Sequence, residues 1–473
     1  MRELVNGLER TPRSCTWELT LGCNLRCGHC GSTAGAPRPG ELEKPRLLEI
    51  ARELADLGCR TLTLSGGEPT LSPHWEAVGS EAAARGIAVN MITNGVRADR
   101  ELARRAREAG LVSVAVSLDG LEATHDHYRD RRGLYRRAMS FIDDCNAVGL
   151  PVGVVTTIQR RNVHELPELH ELLEGRVYVW QLQLGALMGN LVAHRGEQLE
   201  PRDLLKLSPS LARMIRERRV NIRIANNIGY YGPYEATLRE HRSSPIDCWV
   251  GCFAGCRHVG IESDGGVKGC LSLQATRETE GNLAVSSLSD IWHRDGAFAY
   301  NRDFSRNDLA GFCRTCEHAD LCRGGCFSMR TCEGGRENPY CYHRVATLEA
   351  RASEASTRRY VPLALAPAAL LAAFGLGCAA DRPPPNAPPP SATVEPNPFP
   401  GEPGTAQPLE PVPDDPPAAA EYAVPAPYPP PPSVEKYGLP PPDDDPPVAP
   451  EYAIEAPEGP PMTTKYGVPM PNE

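Results

Sequence analysis

The stretch WELTLGCNLRCGHCGSTAG, residues 17–35, runs from an apolar, β-prone segment straight into a glycine-studded turn that carries Cys23, Cys27 and Cys30. A strand that ends in a ligand-bearing loop is half of an α/β unit, and the sequence downstream repeats the pattern. Strand-like runs occur at WELTL (17–21), TLTLS (61–65), IAVNMIT (87–93), SVAVSL (113–118), VGVVTTI (152–158) and VYVWQLQL (177–184). Between them lie amphipathic stretches such as ELEKPRLLEIARELADLG (41–58) and RADRELARRAREAG (97–110), with apolar residues three and four apart and a closing glycine. Six such units predict an α/β fold with a parallel sheet, open or rolled into a partial barrel, and helices outside.

That architecture puts four short motifs on one rim. The cysteine turn follows the first strand, GGEP (66–69) the second, TNG (93–95) the third, and SLDG (117–120) overlaps the end of the fourth. Ligands of parallel α/β folds bind at the carboxyl ends of the strands. Each motif alone is weak; their order and common edge are specific. A four-iron cubane held by Cys23, Cys27 and Cys30 keeps one iron free of protein ligands, which makes that iron a binding position. The competing zinc knot lacks a fourth ligand beside the triplet unless His29 serves.

With this CxxxCxxC loop and the motifs behind it, residues 13 to 235 resemble the radical S-adenosylmethionine superfamily. The resemblance implies a partial (β/α)6 barrel in which the cofactor's amino and carboxylate groups chelate the open iron. It further implies that one electron from the reduced cluster cleaves the sulfonium, giving methionine and a 5'-deoxyadenosyl radical that takes a hydrogen atom from the substrate. Gly66, Gly67 and Glu68 would meet the methionyl amino group through backbone atoms, and Asn94, Ser117 and Asp119 would contact the ribose or carboxylate. His29 fills a position that is usually aromatic in the family.

A second cysteine field lies at 248–341. Cys252 is followed after twelve residues by Gly265 and after four more by Cys270; then come Cys313, Cys316, Cys322 and Cys326, with two, five and three residues between them, and Cys341. These intervals resemble the SPASM extension of the same superfamily, which carries one or two auxiliary 4Fe–4S clusters. The likeness implies that Cys313, Cys316, Cys322 and Cys341 hold one cluster and that Cys252, Cys270 and Cys326 hold three corners of another. Cys256 is the chosen fourth corner and Cys248 the alternative. Cys332 stays unassigned, and Cys15, Cys59 and Cys145, isolated in sequence, read as small buried hydrophobes.

Composition sets the limits of the folded part. The chain has 473 residues, 47 prolines and a net charge of −10. From Asp381 onward there are 32 prolines and fifteen acidic against three basic residues, so this tail carries −12 and the rest about +2. Such a composition predicts an unfolded extended segment. The expected organisation is a radical enzyme core over 1–240, a cysteine-rich extension over 241–345, a linker over 346–380 and a disordered acidic Pro-rich repeat tail over 381–473. Arg358 and Arg359 precede an apolar run ending in Leu376, Gly377 and Cys378, the order of a lipoprotein cleavage box. This makes membrane association through 360–378 an expectation, with the enzyme body in the reducing cytoplasm and a tether at the inner membrane. In the tail DDPPAAAEYAVPAP recurs as DDPPVAPEYAIEAP and EKYGLP as TKYGVP, pairing Tyr422 with Tyr452 and Tyr437 with Tyr466.

SPASM enzymes mostly act on peptides or proteins, so the resemblance implies a peptide or protein substrate, with the chain's own tail a candidate, and an electron donor as partner. A nucleic-acid partner is not expected. The alternatives are small-molecule, tetrapyrrole-type radical chemistry and a non-enzymatic iron–sulfur electron carrier. No motif selects a catalytic acid or base.

Overall fold

A computed structural model of the chain describes residues 10–240, 248–332 and 334–359, together with two short strands near the carboxyl end, Met462–Thr463 and Pro469–Met470, which pair antiparallel. Seven parallel strands run in sequence order: β1 (Ser14–Glu18), β2 (Thr61–Ser65), β3 (Ala88–Thr93), β4 (Ser113–Ser117), β5 (Val152–Ile158), β6 (Val179–Leu184) and β7 (Ile222–Ile224). The six expected strands are present, and the sheet has further members that periodicity did not reveal. Three come from the cysteine-rich extension: β8 (His258–Ile261) adds parallel to β1, and β9 (Gly266–Lys268) and β10 (Gly281–Asn282) follow antiparallel. The order is β10-β9-β8-β1-β2-β3-β4-β5-β6-β7, so the ten-stranded sheet keeps two edges and does not close.

β1 begins three residues before the apolar run expected at 17–21. Leu19 still donates to the Ser65 carbonyl at 3.0 Å. Beyond it the chain leaves the ladder, because the Thr20 hydroxyl and the Leu21 N–H both bond the Glu41 carboxylate at 2.9 Å.

Alternation along the strands divides the sheet into two chemistries. One face carries Trp17, Leu62, Leu64, Val89, Met91, Val114, Val116, Val154 and Leu182, packed in a single core with the helices. Helix Lys44–Asp56 contributes Leu47, Ile50, Ala51 and Leu54, a stripe at helical spacing. Helix Arg100–Glu108 starts where the Asp99 carboxylate accepts the Leu102 N–H at 2.8 Å. The opposite face is polar though buried: Thr16, Glu18, Thr63, Asn90, Ser113 and Gln181. Cys15, Cys59 and Cys145 are buried in the apolar core, as expected for unreactive thiols.

The extension continues as short helices to Tyr342–Arg359, a helix that spans the boundary placed at 345. Residues 360–378 and the repeat tyrosines Tyr422, Tyr437, Tyr452 and Tyr466 lie outside the described residues. Among the described residues no helix is long and apolar enough to cross a membrane.

Candidate metal centres and active site

The loop after β1 is pinched at its base, where Cys23 N–H bonds the Gly35 carbonyl at 2.9 Å and Gly35 N–H the Leu21 carbonyl at 3.0 Å. Cys23, Cys27 and Cys30 gather in one small cluster with Leu25, Val96 and Leu134. The sixteen cysteines among the described residues are all unbridged. Burial pushes the Cys27 thiol up to about 11, with the neighbouring Cys30 and Cys23 adding to the shift. Thiols held together, away from water and unbridged suit a metal group that stabilises the thiolates.

GGEP is laid against this loop by its backbone. Gly67 N–H bonds the Thr20 carbonyl at 2.8 Å and Glu68 N–H the Gly22 carbonyl at 2.9 Å. A Cβ at Gly67 would lie 2.4 Å from the Gly22 oxygen, and one at Gly66, whose φ is +140°, would lie 2.3 Å from the Thr20 oxygen. Only glycine fits either place. The Glu68 side chain, 1% exposed, accepts from the Thr70 hydroxyl (2.7 Å), the Thr93 hydroxyl (2.9 Å) and the Asn94 N–H (2.7 Å). It thereby locks TNG to GGEP. Asn94 reaches the cysteine loop itself, donating to Asn24 Oδ1 at 2.8 Å and approaching the Cys23 sulfur at 3.6 Å.

Ser117 closes β4 as a buried residue on the same rim. Asp119 is fully buried, and both its oxygens are engaged: Oδ2 faces Arg129 at 2.6 Å and His29 Nε2 at 3.1 Å, and Oδ1 accepts the Thr157 N–H at 2.9 Å. A ribose or carboxylate contact at Asp119 would share a carboxylate already bonded to three residues. Burial alone would raise its pKa, but Arg129 and His29 outweigh burial and hold it well below the carboxylate range. Sequence reasoning missed Arg129. Its guanidinium, 12% exposed, is favoured by Asp119 and by the sulfurs of Cys27 and Cys30 when they carry charge. It thus carries positive charge to the cluster loop. The only signal was HDHYR (125–129), a basic residue one helix after SLDG. A second unforeseen partner is Asn190, which grips the loop from the segment after β6 by donating to the Cys27 carbonyl from its side chain and the Cys30 carbonyl from its backbone, each at 2.9 Å.

In the extension the thiols fall into two groups. Burial and the proximity of Cys313 and Cys316 raise the Cys341 thiol to about 12, and Cys322 is raised by burial and by Cys341, Cys313 and Cys316. These are the four residues expected to share one cluster. Burial, Cys326 and Cys270 raise Cys252 to about 12. Tyr300, half-buried beside this second group, is raised by desolvation and by Cys252, Cys270 and Cys256. Cys248 lies on the other side, where Tyr231 is raised by burial, Cys322 and Cys248. Rigid partners hold both groups. Trp249 donates to the Cys322 carbonyl at 3.0 Å, the Tyr230 hydroxyl accepts the Cys326 N–H at 3.0 Å, and the Asn301 amide bonds the Cys252 and Ala254 carbonyls, each at 2.7 Å. The Cys332 thiol bonds the Met329 carbonyl at 3.4 Å.

Comparison with known proteins agrees with this geometry. Residues 17–173 match the radical SAM superfamily and residues 252–317 an iron–sulfur cluster-binding domain, SPASM. Residues 17–173 thus form a radical SAM domain and residues 252–317 a SPASM domain. It is similar to the AdoMet-dependent heme synthase of Methanosarcina barkeri, with 27% identity over 72% of this chain and 98% of that protein. It is also similar to the mycofactocin maturase MftC of Mycobacterium ulcerans, with 29% identity over 70% of this chain and 86% of that protein. Among solved structures, Streptococcus suis SuiB bound to S-adenosylmethionine shares the fold, with a TM-score of 0.58, 18% identity and coverage of 73% of this chain and 79% of that one. The cofactors these domains imply are S-adenosylmethionine and 4Fe–4S clusters, and the three thiol groups fit them.

Proposed function

We propose that the chain oxidises a peptide or protein substrate by hydrogen-atom abstraction, with Cys23, Cys27 and Cys30 holding the catalytic cluster. S-adenosylmethionine and that cluster, when bound, supply the carbon radical that takes the hydrogen atom. In this reading Asn94 and Ser117, on the same rim, contact the cofactor. The carbonyls of Gly66, Gly67 and Glu68 are the acceptors an ammonium requires, since the Gly67 and Glu68 N–H groups are taken by the cysteine loop. Asp119 acts through Arg129, which it orients beside the thiols.

The observation that carries the oxidative reading is the pair of thiol groups in the extension, Cys313, Cys316, Cys322 and Cys341, and Cys252, Cys270 and Cys326 with Cys256 beside them. After loss of a hydrogen atom the substrate has one further electron to give up, and an auxiliary cluster is an acceptor for it. The peptide class draws support from the likeness to mycofactocin maturase. The chain's own tail is the candidate substrate, because its Tyr-bearing repeats are covalently held at high effective concentration. A second reading, tetrapyrrole side-chain oxidation, is favoured by the heme synthase, which is matched along 98% of its length.

Anaerobically reconstituted full-length protein with S-adenosylmethionine and dithionite tests these readings. The expected result is 5'-deoxyadenosine together with a mass change in a fragment covering 381–473. An unchanged tail beside a consumed iron porphyrin replaces the first reading with the second. Absence of 5'-deoxyadenosine leaves only an electron carrier.

A further inference from the structure

The outer side of the cysteine loop bears an open pocket of about 410 Å³ lined by Cys23, Asn24, Leu25, Arg26, Asp130 and Arg131. Here a ligand of the catalytic cluster forms part of the pocket wall. Leu25, Val96 and Leu134 pack with the three cysteines in one small apolar layer. Exposed arginines surround that layer. Arg97 follows Val96, Arg131 and Arg132 lead into Leu134, and Arg137 lies one turn on, donating to the Val96 carbonyl at 3.1 Å. Arg26 folds over the loop onto the Cys23 and Leu25 carbonyls, both at 2.9 Å.

Many arginines elsewhere on the surface are ion-paired, though Arg107, Arg216 and Arg314 pair with no described acid. Arg104 is paired with Glu101 and Glu108, Arg52 with Glu81, and Arg136 with Glu122. Arg26, Arg97, Arg131, Arg132 and Arg137 have no ion pair with any described residue. Of the nearby acids, Asp126 is used by the N–H groups of Gly133 and Tyr135, which leaves Asp130 as the one carboxylate lining the pocket. The patch is strongly positive in a body of nearly balanced charge.

From this juxtaposition we infer that the arginine-ringed face over Cys23 is the docking surface for an acidic one-electron carrier protein. The inference rests on the radical SAM reading of the triplet. The carrier gives one electron to the cluster and is itself oxidised by one; no bond forms or breaks. Complementary charge would steer the encounter and fix its orientation, with the carrier's redox group brought to the Cys23 wall. An uncompensated cationic ring makes that steering selective for an acidic partner and sensitive to salt.

The test uses reconstituted full-length protein and reduced flavodoxin, an acidic one-electron carrier, as probe. Calorimetric titration should give an affinity that weakens at least about tenfold on raising salt from about 0.05 to 0.5 M, and weakens similarly in the variant Arg97→Glu/Arg131→Glu/Arg132→Glu. Flavodoxin-driven 5'-deoxyadenosine formation should fall in step, while dithionite-driven formation stays unchanged. The milder variant Arg97→Gln/Arg132→Gln gives the same test should the triple variant misfold. Unchanged affinity in a folded variant overturns the proposal. So does flavodoxin binding only after truncation at Arg358, which would assign the patch to the chain's own acidic tail. Failure of dithionite-driven cleavage in the parent protein marks a different failure, that of the radical SAM reading, and the titration still decides the docking surface.

Discussion

Arg129 and Asp119 form a buried ion pair one contact away from the cluster loop, and the cost of breaking such a pair falls on the partner left behind. Arg129→Met leaves the Asp119 carboxylate buried with only His29 and the Thr157 N–H. A loss of about 3 to 5 kcal/mol in denaturant unfolding is expected, with lower iron retention at the triplet. His125 gives a pH signature. Its Nδ1 accepts the Asp119 N–H at 3.0 Å, which requires the neutral ring, and burial with the nearby Arg129 lowers its pKa to about 4. The stability that the neutral ring confers is complete above its ordinary value near 6.5 and is lost as pH falls from there to about 4. The total is up to about 3 kcal/mol. His125→Asn, which keeps an acceptor at the same position, should flatten that part of an acid-unfolding profile. Cys23, Cys27 and Cys30 were legible in the sequence because ligand chemistry needs thiols at short spacing. Arg129 and His125 were not, because they act through Asp119 from a helix that no ligand motif marks, and Asn190 was not, because it grips Cys27 from far along the chain.

Among the elements, the β-strand and loop pairs were legible wherever burial imposes a period. The runs at 61–65, 113–118 and 152–158 correspond closely to β2, β4 and β5. β8, β9 and β10 escaped notice because they are four, three and two residues long. Segments that short carry too little alternation to read, and they form only because β1 presents an edge. The GGEP turn makes an element-scale prediction. Gly67→Ala puts a Cβ 2.4 Å from the Gly22 oxygen and 2.5 Å from the Leu21 oxygen, which pushes the turn off the cysteine loop. The electron-paramagnetic signal of the triplet's cluster should be lost, and those of the extension should persist.

For the molecule as a whole, the sheet and a buried charge network bind core and extension into one piece. Arg38 bridges Glu18 at 2.5 Å and Glu262 at 3.1 Å, Glu262 pairs with Lys268 at 3.0 Å, and Glu18 also accepts the Ser263 hydroxyl at 2.9 Å. Glu18 ends β1, so this network lies at the foot of the cysteine loop. A fragment ending at residue 240 keeps Glu18 and Arg38, loses Glu262 and Lys268, and bares the β1 edge. It should aggregate or be cleaved rapidly in limited proteolysis, whereas a chain ending at Arg358 should resist. The sequence showed two cysteine fields in succession; that they share one sheet depends on strand pairing across more than two hundred residues, which no local pattern encodes.

Before iron is bound, the crowded sulfurs are protonated. With Cys27 raised to about 11 and Cys252 and Cys341 to about 12, these positions carry hydrogen at neutral pH, and each must surrender it as iron arrives. Cofactor assembly is therefore an acid-producing reaction: its heat will vary with the ionisation enthalpy of the buffer, and alkaline medium will drive it forward.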